Sequence, residues 1–189
     1  VVQQAKQVVV DQQTAVTDVA KKVGPSVVSI VASSTQIDPF TGNSQSSETG
    51  AGTRIIVSKD GLILTNKHVA EGGETFNIFT SDNKEYKNAK VIAVDKFNDV
   101  AFLKVDAKDL TAAELGDSDK VKPGSWVTVV GNSYGIPTAV SFGLVNGIRE
   151  DGLIQMSVNV SPGTSGGPVL SSDGSVVGLV SARLAEPSY

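Results

Sequence analysis

The chain has 189 residues, 40% of them hydrophobic and 19% charged, with a formal net charge of −4; this is the balance of a soluble globular protein long enough to bury a core as one large or two small domains. The acidic balance argues against nucleic acid or an anionic membrane as the main partner. With no cysteine and one histidine, a disulfide framework and a thiolate metal site are excluded and a structural zinc site lacks donors, so no cofactor or metal is expected.

In chain order, residues 1–13 show little periodicity and read as a loose N-terminal arm. From Thr14 the apolar residues Ala15, Val16, Val19, Ala20 and Val23 fall on one helical face, and Gly24-Pro25 ends the run, so a short amphipathic helix is predicted. From Ser26 the character is β. Val27–Val31 reads as a strand, and the polar, turn-rich stretch from Ser33 to Gly52 reads as a loop. Thr53–Val57 and Leu62–Thr65 flank Lys59-Asp60-Gly61, a hairpin signal. Strands are predicted at Thr75–Phe79, Lys87–Val94 and Val100–Val105, and the polar stretch Asp109–Pro123 reads as a crossover. The second half opens with Trp126–Val130, turns at Gly131–Gly135, and continues with strands at Thr138–Ile148, Leu153–Val160, Pro168–Leu170 and Val176–Ser181. Many short strands separated by turn signals predict an all-β sandwich or barrel. No signal peptide is legible at Val1 and no run is long enough to span a bilayer; without an initiating methionine, the chain reads as a mature or trimmed form.

The most informative stretch is Ser161-Pro162-Gly163-Thr164-Ser165-Gly166-Gly167-Pro168. Small residues around one hydroxyl allow a tight turn that exposes backbone N–H groups, as a nucleophilic serine requires, and Gly163 and Ser165 are candidate oxyanion donors. The segment also fits the G-x-S-x-G elbow of α/β-hydrolases, but such an elbow is followed by its acid and histidine. Here the single histidine, His68, lies far upstream, so the elbow is excluded. A Gly/Ser/Pro cluster is otherwise most often a surface turn. His68 falls just past a predicted strand end. Asp99 enters an apolar strand where its carboxylate needs a donor, and a histidine N–H would suit it. Asp99 could instead cap a turn, as Asn-Asp pairs do. Taken together, His68, Asp99 and Ser165 occur in the chain order that builds a base, an orienting acid and a nucleophile on paired β-barrels.

Leu64–Val69, Asn98–Ala101, Gly131–Gly135 and Pro162–Pro168 together resemble the HtrA (Deg-type) branch of the chymotrypsin-like serine proteases, over about residues 14–183. The resemblance implies two antiparallel six-stranded β-barrels with the active site between them. Residues 14–108 would form the N-terminal barrel, 109–125 the crossover and 126–189 the C-terminal barrel. It implies a serine endopeptidase that cleaves unfolded or damaged polypeptides in the bacterial cell envelope, often as a homotrimer carrying PDZ domains, of which this chain has none. Membrane attachment would come only through a segment outside this chain. Ser165 would be the nucleophile, His68 the general base and acid, and Asp99 the orienting acid. The Gly163, Thr164 and Ser165 amides would form the oxyanion hole, and Asn159, Val180 and Ser181 would bind substrate. Asn159, six residues before Ser165, would lie at the base of the specificity pocket; a neutral residue there favours small or medium aliphatic side chains before the scissile bond.

This chain departs from the family pattern at four places. Thr164 stands where relatives have asparagine, and Arg54 where they have glycine, which would oblige a charged side chain to reach water or a partner. The first aromatic residue is Phe40, whereas trimer contacts in relatives use aromatic residues nearer the start. The chain stops at Tyr189, so the last strand of the second barrel is expected to be missing, as in a segment of a longer protein. The family also includes resting states with a disordered oxyanion loop, so a latent or chaperone-like peptide-binding module is the alternative reading.

Overall fold

The structure is a computed structural model that describes residues 14–37, 44–133, 136–160 and 163–181; the expected N-terminal arm, Ser161-Pro162, the Tyr134-Gly135 turn and the chain end lie outside these residues. Residues 14–23 form helix α1, which turns Val19, Ala20 and Val23 inward and passes into a 3₁₀ turn over Gly24–Ser26, with Pro25 in its first turn.

The first half is a closed barrel. Its strands are β1 (Val27–Ile37), β2 (Ser44–Ile56), β3 (Leu62–Thr65), β4 (Thr75–Phe79), β5 (Glu85–Val94) and β6 (Ala101–Lys104), with the short helix α2 (Lys67–Glu71) after β3. All pairings are antiparallel in the order β1-β2-β3-β6-β5-β4, and β1 closes the ring on β4 through Ser29 opposite Phe79 to Ser33 opposite Thr75. Alternation explains the closure, because every second side chain faces inward: Ile63 on β3, Phe76 and Ile78 on β4, and Leu103 on β6 join Val28, Ile30 and Ile56 in one core.

The loop expected from Ser33 to Gly52 is instead the far end of the β1–β2 hairpin, paired from Ser33 opposite Glu48 to Ile37 opposite Ser44, after a bulge at Ala32/Ser33. The ladder joins backbone groups, so it continues where the side chains turn polar.

The second half contains β7 (Trp126–Ser133), β8 (Ile136–Ile148), β9 (Ile154–Met156), β10 (Pro168–Leu170) and β11 (Val176–Leu179). They form a five-stranded antiparallel sheet in the order β11-β10-β7-β8-β9, with no sixth strand among the described residues. Gly131 to Ser133, expected in a turn, belong to β7. The strand expected over Leu153–Val160 shortens to β9; beyond it Ser157 still bonds Leu144, and Val158 and Val160 leave the ladder to pack on the second core.

Two further clusters place the halves. Val127, Val129, Val145, Val169, Val177 and Val180 form the core of the second sheet. Val130 and Leu170 face the other way and meet Val27 and Ile55 of the barrel and Val19 and Val23 of α1, so the helix packs on the seam. The crossover is tied to both sides: the Ala113 amide donates to Ile56 and the Gly116 amide to Val176. Among the described residues no helix is long and apolar enough to cross a membrane.

Candidate active site

His68 is placed by the end of β3. Asn66, fully buried, precedes α2, so His68 lies in the first turn of that helix, where backbone N–H groups lack intrahelical acceptors. The acceptor comes from another element: the His68 amide donates to Asp99 Oδ1 at 3.0 Å, and the Asn66 side chain donates to the Asp99 carbonyl at 3.3 Å. Asp99 is presented by a loop that Asp95 organises, its Oδ1 accepting the Phe97 and Asn98 amides at 2.8 and 2.6 Å.

The imidazole faces the same carboxylate. His68 Nδ1 lies 2.8 Å from Asp99 Oδ2 and 3.0 Å from Oδ1. An ionised carboxylate only accepts, so Nδ1 carries the proton and Nε2 keeps its lone pair. The Ser181 hydroxyl donates to Asp99 Oδ2 at 2.7 Å from the other side. Burial is the largest single influence on the Asp99 carboxyl and pushes its pKa up. The His68 amide, the Ser181 hydroxyl and the His68 ring together outweigh it, leaving the group below its ordinary 3.8. A folded-state value below the unfolded one means that the stabilisation Asp99 provides is fully present above about pH 4 and is lost as the pH falls through the depressed value.

Ser165 lies on the second half, between β9 and β10. The Gly167 amide donates to the Thr164 carbonyl at 2.8 Å, closing a turn with Ser165 and Gly166 at its centre. Gly166 has φ +77°, the left-handed geometry required at the third position of a type II turn. Because a trans peptide sets N–H and C=O on opposite sides, the Ser165 amide points away from this closing bond. Gly163 has φ +94° and its carbonyl accepts from Thr53 Oγ1 at 2.7 Å.

The Ser165 loop and the His68–Asp99 pair are joined by the two residues that follow β11. The Gly166 amide donates to the Val180 carbonyl at 2.7 Å and the Val180 amide to the Gly167 carbonyl at 3.0 Å, and the next residue, Ser181, holds Asp99. Val180 is thus a buried wall of the loop. Asn159 is exposed in the segment between β9 and the loop. Among the described residues no hydrogen bond joins the Ser165 hydroxyl to His68. Bonds of this kind are often long before substrate binds and tighten only in the complex.

The charged residue at position 54 reaches a partner rather than water. Arg54 is 1% exposed, and its Nη1 donates to the carbonyls of Ser165, at 2.6 Å, and Thr53. Burial lowers its pKa from 12.5 to about 10, and the Asp99 charge opposes that shift, so the guanidinium is a cation at neutral pH. Neither this contact nor the link from Ser181 to Asp99 has a signal in local sequence, since each bridges residues remote in the chain.

Thr164 is buried and rests on β7, where Gly131 makes room for it. A Cβ at position 131 would lie 2.6 Å from Thr164 Cγ2 and 3.1 Å from Thr53 Oγ1. Gly131→Ala is therefore expected to displace the loop and to cost about 1–3 kcal/mol of stability by overpacking, read from the urea midpoint. A concavity of about 510 Å³ lies elsewhere, between α1 and the face of β7 and β8 that carries Trp126 and Phe142.

A family model for the trypsin-like peptidase domain matches residues 52–179. The chain is 39% identical over 142 residues to a DegP-like periplasmic serine endoprotease of Marinomonas sp. (strain MWYL1), covering 71% of this chain and 30% of that protein. It is 32% identical over 194 residues to the serine protease HhoB of Synechocystis sp., covering 88% and 46%. The chain thus spans less than half the length of these relatives. A solved structure of the HtrA-type protease AlgW with a decapeptide superposes with a TM-score of 0.74 at 25% identity, covering 89% of this chain and 59% of that one.

Proposed function

Given that this chain belongs to the trypsin-like peptidase family, on its HtrA branch, we propose that it is the protease core of a serine endopeptidase acting through an acyl-enzyme on Ser165. The observation that carries this reading is the His68–Asp99 pair, which keeps the proton on Nδ1 at 2.8 Å from the carboxylate and leaves Nε2 as the base. In this scheme Nε2 takes the Ser165 proton as Oγ attacks the scissile carbonyl. The imidazolium that forms is stabilised by Asp99, and the same proton passes to the leaving amine. Water then repeats the sequence on the ester. The developing oxyanion is received by the amides of Gly163 and Ser165, with Thr164 beside them.

The substrates are polypeptides, as AlgW with its decapeptide supports by similarity, and unfolded or damaged ones by the family resemblance. Asn159 offers no counter-ion to a basic side chain, which supports a small or medium aliphatic residue before the scissile bond, with Val180 and Ser181 forming the adjoining wall. The relatives named periplasmic support a bacterial cell-envelope location. Assembly as a homotrimer is the remaining family expectation.

A latent state is the second reading, favoured by the missing bond between Ser165 and His68. Labelling with a biotinylated fluorophosphonate, with and without reduced unfolded casein, separates the two. An active core is labelled at Ser165, located by peptide mapping, in both arms; a latent one is labelled only when casein is present, and a non-catalytic module in neither.

A further inference from the structure

We infer that Arg54 is a positioning residue for the nucleophile: its buried guanidinium clamps the Ser165 carbonyl and so fixes the peptide that follows the reacting hydroxyl. The inference rests on Ser165 being the nucleophile. The Ser165–Gly166 peptide is held on both sides, its carbonyl by Arg54 Nη1 at 2.6 Å and its N–H by the Val180 carbonyl at 2.7 Å. Releasing the Arg54 side would leave that peptide held only through its N–H, beside a glycine whose φ is +77°. The neighbouring β2 residue does the same one step earlier, Thr53 Oγ1 holding the Gly163 carbonyl. Adjacent residues of one barrel strand thereby hold the two peptides that flank the Thr164–Ser165 peptide, and so fix the turn in which the Ser165 amide lies.

Arg54 is an expensive way to fill this space. A cation buried against neutral carbonyls is destabilising relative to an apolar side chain of similar size, and Arg54 Nε is buried with no hydrogen-bond partner among the described residues. The guanidinium fills the space under the turn, where a Cβ on Gly166 would collide with it. The Asp99 carboxylate opposes part of the effect of burial on Arg54, so the clamp keeps its charge.

The test compares Arg54→Met, Arg54→Lys and Arg54→Gly with the unaltered full chain. The readouts are kcat and KM on a fluorogenic peptide, the fluorophosphonate labelling rate, and the urea midpoint. Arg54→Met is expected to lower kcat and the labelling rate by about 100-fold, the scale of a small misplacement of reacting groups, with KM within about twofold and an unchanged or higher urea midpoint. Arg54→Lys is expected to fall between the two. Tens of millimolar guanidinium should restore part of the labelling rate in Arg54→Gly and none in Arg54→Met. Labelling of Arg54→Met at the unaltered rate, with Ser165→Ala unlabelled, would overturn the role of Arg54 and leave Ser165 standing. So would a loss that tracks the urea midpoint and that neither lysine nor guanidinium relieves. An unlabelled parent chain would remove the nucleophile itself and this inference with it.

Discussion

Ser165→Ala is expected to lower kcat on casein by about 10⁶-fold, the loss typical when a triad nucleophile is removed. The residual rate would come from substrate binding and the oxyanion donors, which the substitution leaves in place. Because base and nucleophile act as a unit, His68→Ala should cost about as much, and the double variant little more than either alone. The side chain removed is exposed, and among the described residues it makes no hydrogen bond, so the stability from urea unfolding should stay within about 0.5 kcal/mol of the parent. Kinetics of the two single variants and the double variant check this. Additive losses would mean that His68 and Ser165 serve separate processes.

Asp99→Asn is the second large effect, about 10⁴-fold in kcat. The amide is nearly isosteric but carries a donor. Where the carboxylate now accepts the His68 amide, the His68 ring and the Ser181 hydroxyl, an NH₂ group turned toward the ring would force the proton onto Nε2 and remove the base. The variant also separates a catalytic from a structural contribution. Since the Asp99 carboxyl sits below 3.8, the stability difference between parent and variant should be constant above about pH 4 and shrink as the acid limb is entered. Urea titrations at a series of pH values read this directly. A difference that instead grows toward low pH would have the wrong sign for a carboxylate stabilised in its charged form.

How much of this was legible in the sequence depends on which physical signal each element leaves. Strands half-buried in the barrel announce themselves: buried Phe76 and Ile78 alternate with Thr75 and Asn77, and the Asp60-Gly61 turn sits where Gly61 takes φ +95°. The polar arm of the β1–β2 hairpin leaves no such trace, because periodicity records side-chain burial whereas the ladder is made by backbone groups. His68 and Asp99 were candidates by residue type and chain order, but that one carboxylate would receive both the amide and the ring of His68, 31 positions away, follows only from the close of the barrel. The burial of Arg54 was the least accessible. A charged residue in a strand must reach water or a partner, and the carbonyl that satisfies this one lies 111 residues downstream, in the other half.

The seam has a consequence for how the molecule comes apart. Val19 and Val23 of α1 share one buried cluster with Val27 and Ile55 of the barrel and with Val130, Leu170 and Val176 of the second half, so melting either half would uncover the other. Heat or denaturant should then meet a single cooperative unit, with backbone amides of barrel and sheet exchanging their hydrogens through the same global opening.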